Sequence, residues 1–200
     1  MKIKGASYFV YGLKLCYFEW IVCRMKYIVL MLVFVMLGGC DGNTELMKAA
    51  QEGGQDQVAE ILHSGADVNE TNNFGWTALI HASRNGNIAV AKLLLEQGAD
   101  VNVGDDTGWT ALIRAAQKGN ADIVKLLLEN GADINAQTGN GWTALLWAVL
   151  QDELETVNVL IAHGADLQME SKDGRSPFMV AIAENHDEIA QVLRDAGAKP

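Results

Sequence analysis

The residues of this 200-residue chain able to ligate a metal, act as a nucleophile or move protons are four histidines, three cysteines and twenty-five carboxylates. His63, His81, His163 and His186 are scattered, and no pair of them has the short spacing of a zinc site. Asp67, Asp100, Asp133 and Asp166 recur, but each follows the same Gly-Ala string, which is turn chemistry and not an acid–base pair. Cys16, Cys23 and Cys40 lie in the first fifth of the sequence, and no glycine loop suits a phosphate. The sequence therefore predicts no enzyme, no cofactor and no metal site. What remains is a set of large side chains at a fixed interval. Trp76, Trp109 and Trp142 are spaced 33 residues apart, and so are His81, Arg114 and Trp147, four residues after the threonine that follows each indole. Indole and guanidinium groups supply much of the energy of protein interfaces, so these six are the candidate partner-binding residues.

The elements that must position them repeat with the same interval. Gly75-Trp76-Thr77-Ala78-Leu79-Ile80 returns from Gly108 and from Gly141, with Thr44 and Ser176 one interval outside on either side. Gly65-Ala66-Asp67-Val68-Asn69 returns from Gly98, Gly131 and Gly164, with the stub Gly197-Ala198. Two markers in phase over five copies define a helix-pair solenoid. In each copy the Thr or Ser hydroxyl is placed to cap a short helix, and Leu46, Leu79, Leu112, Leu145 and Phe178 to enter the core. Alanines after them allow neighbouring helices to approach. A second helix buries Val90, Ala91, Leu93, Leu94 and Leu95, or Ile123, Val124, Leu126, Leu127 and Leu128, and ends at a glycine such as Gly98. Asp152 and Asn185 replace Gly53, Gly86 and Gly119 where the first helix ends, and both residue types tolerate positive φ. His186 shares a column with Asn87 and Asn120, which predicts hydrogen bonding within their loops. Gln57 and Glu60 make the first copy a polar cap, and Arg194 stands where Leu95 stood.

Thr-Ala-Leu-Ile-x-Ala, then Gly, Val-x-x-Leu-Leu and Gly-Ala-Asp-Val-Asn resembles the ankyrin repeat over residues 44–200, with Thr-Ala-Leu-Ile in place of the family's Thr-Pro-Leu-His. The resemblance implies an all-α, ankyrin-repeat solenoid of five stacked helix-turn-helix units with short β-hairpin connections, divided at 44–76, 77–109, 110–142, 143–175 and 176–200. It implies a monomer that binds another protein through its concave face, the face on which Trp76, Trp109, Trp142, His81, Arg114 and Trp147 fall. Stacked at about 8 to 10 Å, the three indoles are expected to form a ladder. A competing reading has them only covering hairpin and helix stems. Adaptor, inhibitor or immunity proteins, or a stabiliser of a periplasmic enzyme, are compatible with the family; an enzyme with an unrecognised site is the remote alternative.

Residues 1–39 carry five of the fifteen Lys+Arg and one of the twenty-five Asp+Glu, leaving the rest at net −14. That sign repels phosphate backbones, so nucleic acid is excluded as a partner and a neutral or basic protein is favoured. Met25-Lys26, the apolar run Tyr27 to Leu37 and Leu37-Gly38-Gly39-Cys40 fit a short secretory leader. Its ending resembles the bacterial lipobox, which implies cleavage before Cys40, a lipid on its sulfur and an envelope protein facing the periplasm. Translation from Met25 would remove residues 1–24, and with them Cys16 and Cys23, leaving no disulfide partner for Cys40. Residues 40–43 form a short tether, and Asp41 resembles the signal for retention at the inner membrane.

Overall fold

The computed structural model describes residues 42–199. The readings of Met25, the apolar run, Cys16, Cys23, Cys40 and Asp41 lie outside the described residues. Ten helices follow in five pairs: α1 Glu45–Glu52 and α2 Gln55–His63, α3 Ala78–Asn85 and α4 Ile88–Glu96, α5 Ala111–Gln117 and α6 Ala121–Glu129, α7 Ala144–Leu150 and α8 Leu154–Ala162, α9 Pro177–Ala183 and α10 Asp187–Asp195. Each first helix is entered from an extended Thr or Ser whose hydroxyl accepts the N–H three residues on, at 3.2 to 3.3 Å from Thr44 to Ser176. Such a cap contributes about 1 kcal/mol. The first helices end in left-handed backbone: Gly53 and Gly86 have φ of 82° and 79°, and Asp152 and Asn185 take φ of 61° in the same place. The substitution there is absorbed without a change of turn.

The first helices pack against one another as an inner layer, because Ala82, Ser83, Ala115, Ala116 and Ala148 present almost no bulk and are buried. The second helices form an outer layer with a narrower apolar stripe than the sequence suggests. Val90, Ala91 and Leu94 are buried, as are Ile123, Val124 and Leu127, but Leu93, Leu95, Leu126 and Leu128 are only half-buried. Outer helices touch their neighbours along one flank, so the next residues round the helix reach only the rim of the core.

The predicted β-hairpins are tight turns. Each closes with one backbone bond across its stem, Asn72 N–H to Trp76 O at 3.0 Å and likewise from Asp105, Thr138 and Ser171, and a single bridge pair, Gly104 with Thr110, is the only strand-like feature among the described residues. Successive turns are stitched by Asp106 N–H to Phe74 O, Gly139 N–H to Thr107 O and Lys172 N–H to Asn140 O. The stitch explains Gly141: with φ of +78°, a Cβ there would stand 2.8 Å from Lys172 N.

Two further seams join the copies through side chains. Asn69 accepts from Asp100 N–H at 2.8 Å and donates to Gly98 O at 3.3 Å, and Asn102 repeats this with Asp133 and Gly131. Asn87 donates to Ala50 O and Asn120 to Ser83 O, each at 2.9 Å, and His186 Nδ1 meets Val149 O at 2.8 Å. These residues therefore bind the end of the preceding copy's first helix and not their own loop. The reason is that the last carbonyls of that helix have no intrahelical partner. Glu153 holds the same column in the fourth pair, where a carboxylate cannot donate to a carbonyl.

At the start, Gln57 is exposed where Val90 and Ile123 are buried, and Glu60 is exposed where Leu93 and Leu126 are half-buried. In the fifth pair Arg194 lays its guanidinium 5.3 Å from the centre of the Phe178 ring. Met179 and Ile182 are 44% and 50% exposed although Leu146 and Val149, one interval earlier, are sealed. No helix of the described residues is long and apolar enough to cross a membrane.

Candidate functional site

The six candidate residues do come together on the inner layer, but not as an indole ladder. The spaces between indoles are filled by side chains of the first helices. Arg114, from α5, places its guanidinium 4.5 Å from the centre of the Trp76 ring and 3.9 Å from that of Trp109. Trp147, from α7, lies 4.7 Å from Trp109 and 4.9 Å from Trp142, tilted to both. His81 lies 5.0 Å from Trp76, Arg84 caps that ring at 5.4 Å, and Arg175 caps Trp142 at 5.1 Å. The result is one interleaved column of indole and guanidinium across three copies. Its interleaving follows from the spacing: turns about a helix diameter apart leave a gap one planar group wide, and the residue four after each cap projects into it.

Burial divides the six. Trp142 and His81 are only 7% and 6% exposed, so they support the column from within. Trp76, Trp109, Arg114 and Trp147 are half-buried and present edges to solvent. The stem-covering role of the indoles is thus real, and it coexists with an accessible surface. Two N–H groups in the column, Arg114 Nε and Trp147 Nε1, are buried with no hydrogen-bond partner among the described residues. Folded chains rarely leave such groups unsatisfied except where something other than stability has shaped the site.

Arg114 is fixed by a residue that sequence reasoning missed. Asp105, 8% exposed, accepts from Trp109 N–H, Thr107 N–H and the Thr107 hydroxyl through Oδ1, and from Arg114 Nη2 at 3.1 Å through Oδ2. Asn72, Thr138 and Ser171 close the other turns from the same column, but none of them carries a charge. Burial alone would raise the Asp105 carboxyl; the bonds from Trp109, Thr107 and Arg114 outweigh it and hold it below its usual range. At Arg114, burial lowers the guanidinium from its usual range, Asp105 raises it, and the positive charge of Arg84 lowers it again. A carboxylate depressed in the folded state contributes stability that is present above its unfolded pKa of about 3.9 and is lost as pH falls through the folded value. Asp105→Asn is therefore expected to cost about 1 to 3 kcal/mol at pH 7, and the gap to wild type in urea melts should close as pH is lowered below about 4. A gap independent of pH would mean that the turn, and not the ion pair, depends on Asp105.

Elsewhere the histidines do structural work. His63 Nδ1 meets Ala59 O and His163 Nδ1 meets Val159 O, one helical turn back in each case. Among the described residues no three His, Cys, Asp or Glu side chains form a metal-sized cluster.

Stacked helix pairs with caps at fixed interval, three inter-copy seams and an aromatic column on one face define a helical-repeat solenoid whose working part is a surface. A family model of ankyrin repeats, in three copies, matches residues 46–138 and again 135–200. The chain belongs to the ankyrin repeat family, whose fold is typically a non-enzymatic scaffold for binding other proteins. No curated protein matches the sequence.

Proposed function

We propose that this is a membrane-tethered, extracytoplasmic ankyrin-repeat protein that binds another protein through its inner layer, at the column running from Trp76 to Trp142. The observation that supports it is the column itself: half-exposed Trp76, Trp109 and Trp147 held rigid by Arg114 and Asp105, with two donors left unsatisfied. Preorganised aromatic and guanidinium groups lose little entropy on binding, which is the property of an interface centre. A photo-crosslinking residue at Gln117, one turn beyond Arg114, tests the reading in cells. A discrete protein adduct from Gln117 and none from Lys92 on the outer layer is the expected outcome. Adducts from Lys92 alone would move the site to the other face.

The tether rests on Leu37-Gly38-Gly39-Cys40 after a short apolar run. Expressed in a bacterium with labelled palmitate, the wild type should take up label and Cys40→Ala should accumulate as unprocessed precursor. Label that persists in Cys40→Ala, or is absent from wild type, removes the anchor.

A further inference from the structure

The charge of the inner layer opposes that of the molecule. On α3, α5 and α7 the side chains that face outward with His81, Arg114 and Trp147 are those three and four residues further on, since such positions lie one above another on a helix. They include Arg84 and Lys118, both exposed, and no carboxylate: none of the three helices contains Asp or Glu. The same three copies carry Glu96, Asp122, Glu129 and Glu155 against Lys92 and Lys125 on the outer layer, and Asp100, Asp133 and Asp166 in the loops behind it. Neither Arg84 nor Lys118 forms an ion pair among the described residues, and Arg84 is near enough to Arg114 for their like charges to oppose each other. A chain with net −14 beyond residue 39 thus keeps two cations without a carboxylate partner along the face that carries the column, while Lys48 on α1 shares its face with Glu52, four residues on. Further along the same face the character changes: α7 presents half-buried Trp147 and Leu150, with no charge.

Resting on the inner layer as the binding face, we infer that the partner is a protein presenting an acidic segment followed by apolar residues: carboxylates against Arg84 and Lys118, apolar side chains against Trp147 and Leu150. Carboxylates on that segment would fit guanidinium and ammonium groups that have no carboxylate partner among the described residues, and the carboxylates in excess over lysines on the outer layer and in the loops behind it would favour this face over that one. A nucleic acid would meet the same cations, but its continuous backbone charge would also meet the surrounding carboxylates at every phosphate.

The test is selection from a random peptide library displayed on phage, with the full-length protein as bait, repeated with Arg84→Glu/Lys118→Glu and with Trp109→Ala as baits. Enriched peptides rich in Asp and Glu beside apolar residues, weakened at least about tenfold by the charge-reversed pair and by Trp109→Ala, are the expected result. Circular dichroism of both variants checks that they are folded; the two charges are exposed, and reversing them leaves the core untouched. Peptides without acidic excess that are lost on Trp109→Ala would overturn the acidic partner and leave the face standing. Acidic peptides that bind all three baits equally would overturn both, as would no enrichment at all. A labelled single-stranded oligonucleotide binding as tightly as the peptides would overturn the assignment of a protein partner.

Discussion

Leu112→Ala is expected to remove about 2 to 5 kcal/mol of unfolding free energy. Leu112 is 1% exposed on α5, in the central pair, and the buried alanines of α3, α5 and α7 have no side chain long enough to move into its place. The gap left by the side chain is therefore not filled by collapse, which puts the cost towards the upper part of that range. In a solenoid each pair touches only its neighbours, so a weakened centre uncouples the two interfaces that it serves. Gln57→Ala, on the exposed flank of α2, is expected to stay within about 0.5 kcal/mol of wild type. Urea melts of the full-length protein followed by circular dichroism measure both. Equal losses at the two sites would remove the argument that the first pair is a cap.

The same contrast shows what the residues reveal by themselves. Thr77 and its equivalents, with Leu79 and Ala82 after them, carry the helix pairs openly, because capping and burial are decided within a few residues of chain. The left-handed turns at Asp152 and Asn185 were readable for the same reason. The roles of Asn87, Asn120 and His186 were not, because their acceptors, Ala50 O, Ser83 O and Val149 O, lie one copy back and only stacking brings them near. At the site, the interval of 33 placed the indoles on one face, but their interleaving depended on how wide a gap the turns leave. Asp105 escaped notice because its column otherwise holds neutral Asn72, Thr138 and Ser171, so nothing in the repeat pattern announces an ion pair with Arg114. Net charge misled in a related way: summed over the chain it hides helices α3, α5 and α7, which have no carboxylate.

Trp109→Ala is expected to weaken partner binding by at least about 2 kcal/mol, roughly thirtyfold in Kd. Trp109 is the middle indole, with Arg114 over its ring at 3.9 Å and Trp147 tilted against it at 4.7 Å, so its removal deprives both neighbours of the surface they rest on. Trp76 lies nearer one end of the column, and Trp76→Ala should cost less binding. Trp142 is 7% exposed, and Trp142→Ala should appear in the urea melt more than in the affinity. That pattern separates a binding centre from a stem cover. Trp109→Phe keeps a ring between Arg114 and Trp147 at smaller area, and should retain most of the stability while losing part of the affinity. Affinity is read by titrating the partner recovered by crosslinking at Gln117, with melts of each variant run in parallel. Full affinity in Trp109→Ala, or a loss of affinity in each variant no larger than its loss of stability, would return all three indoles to a purely structural role.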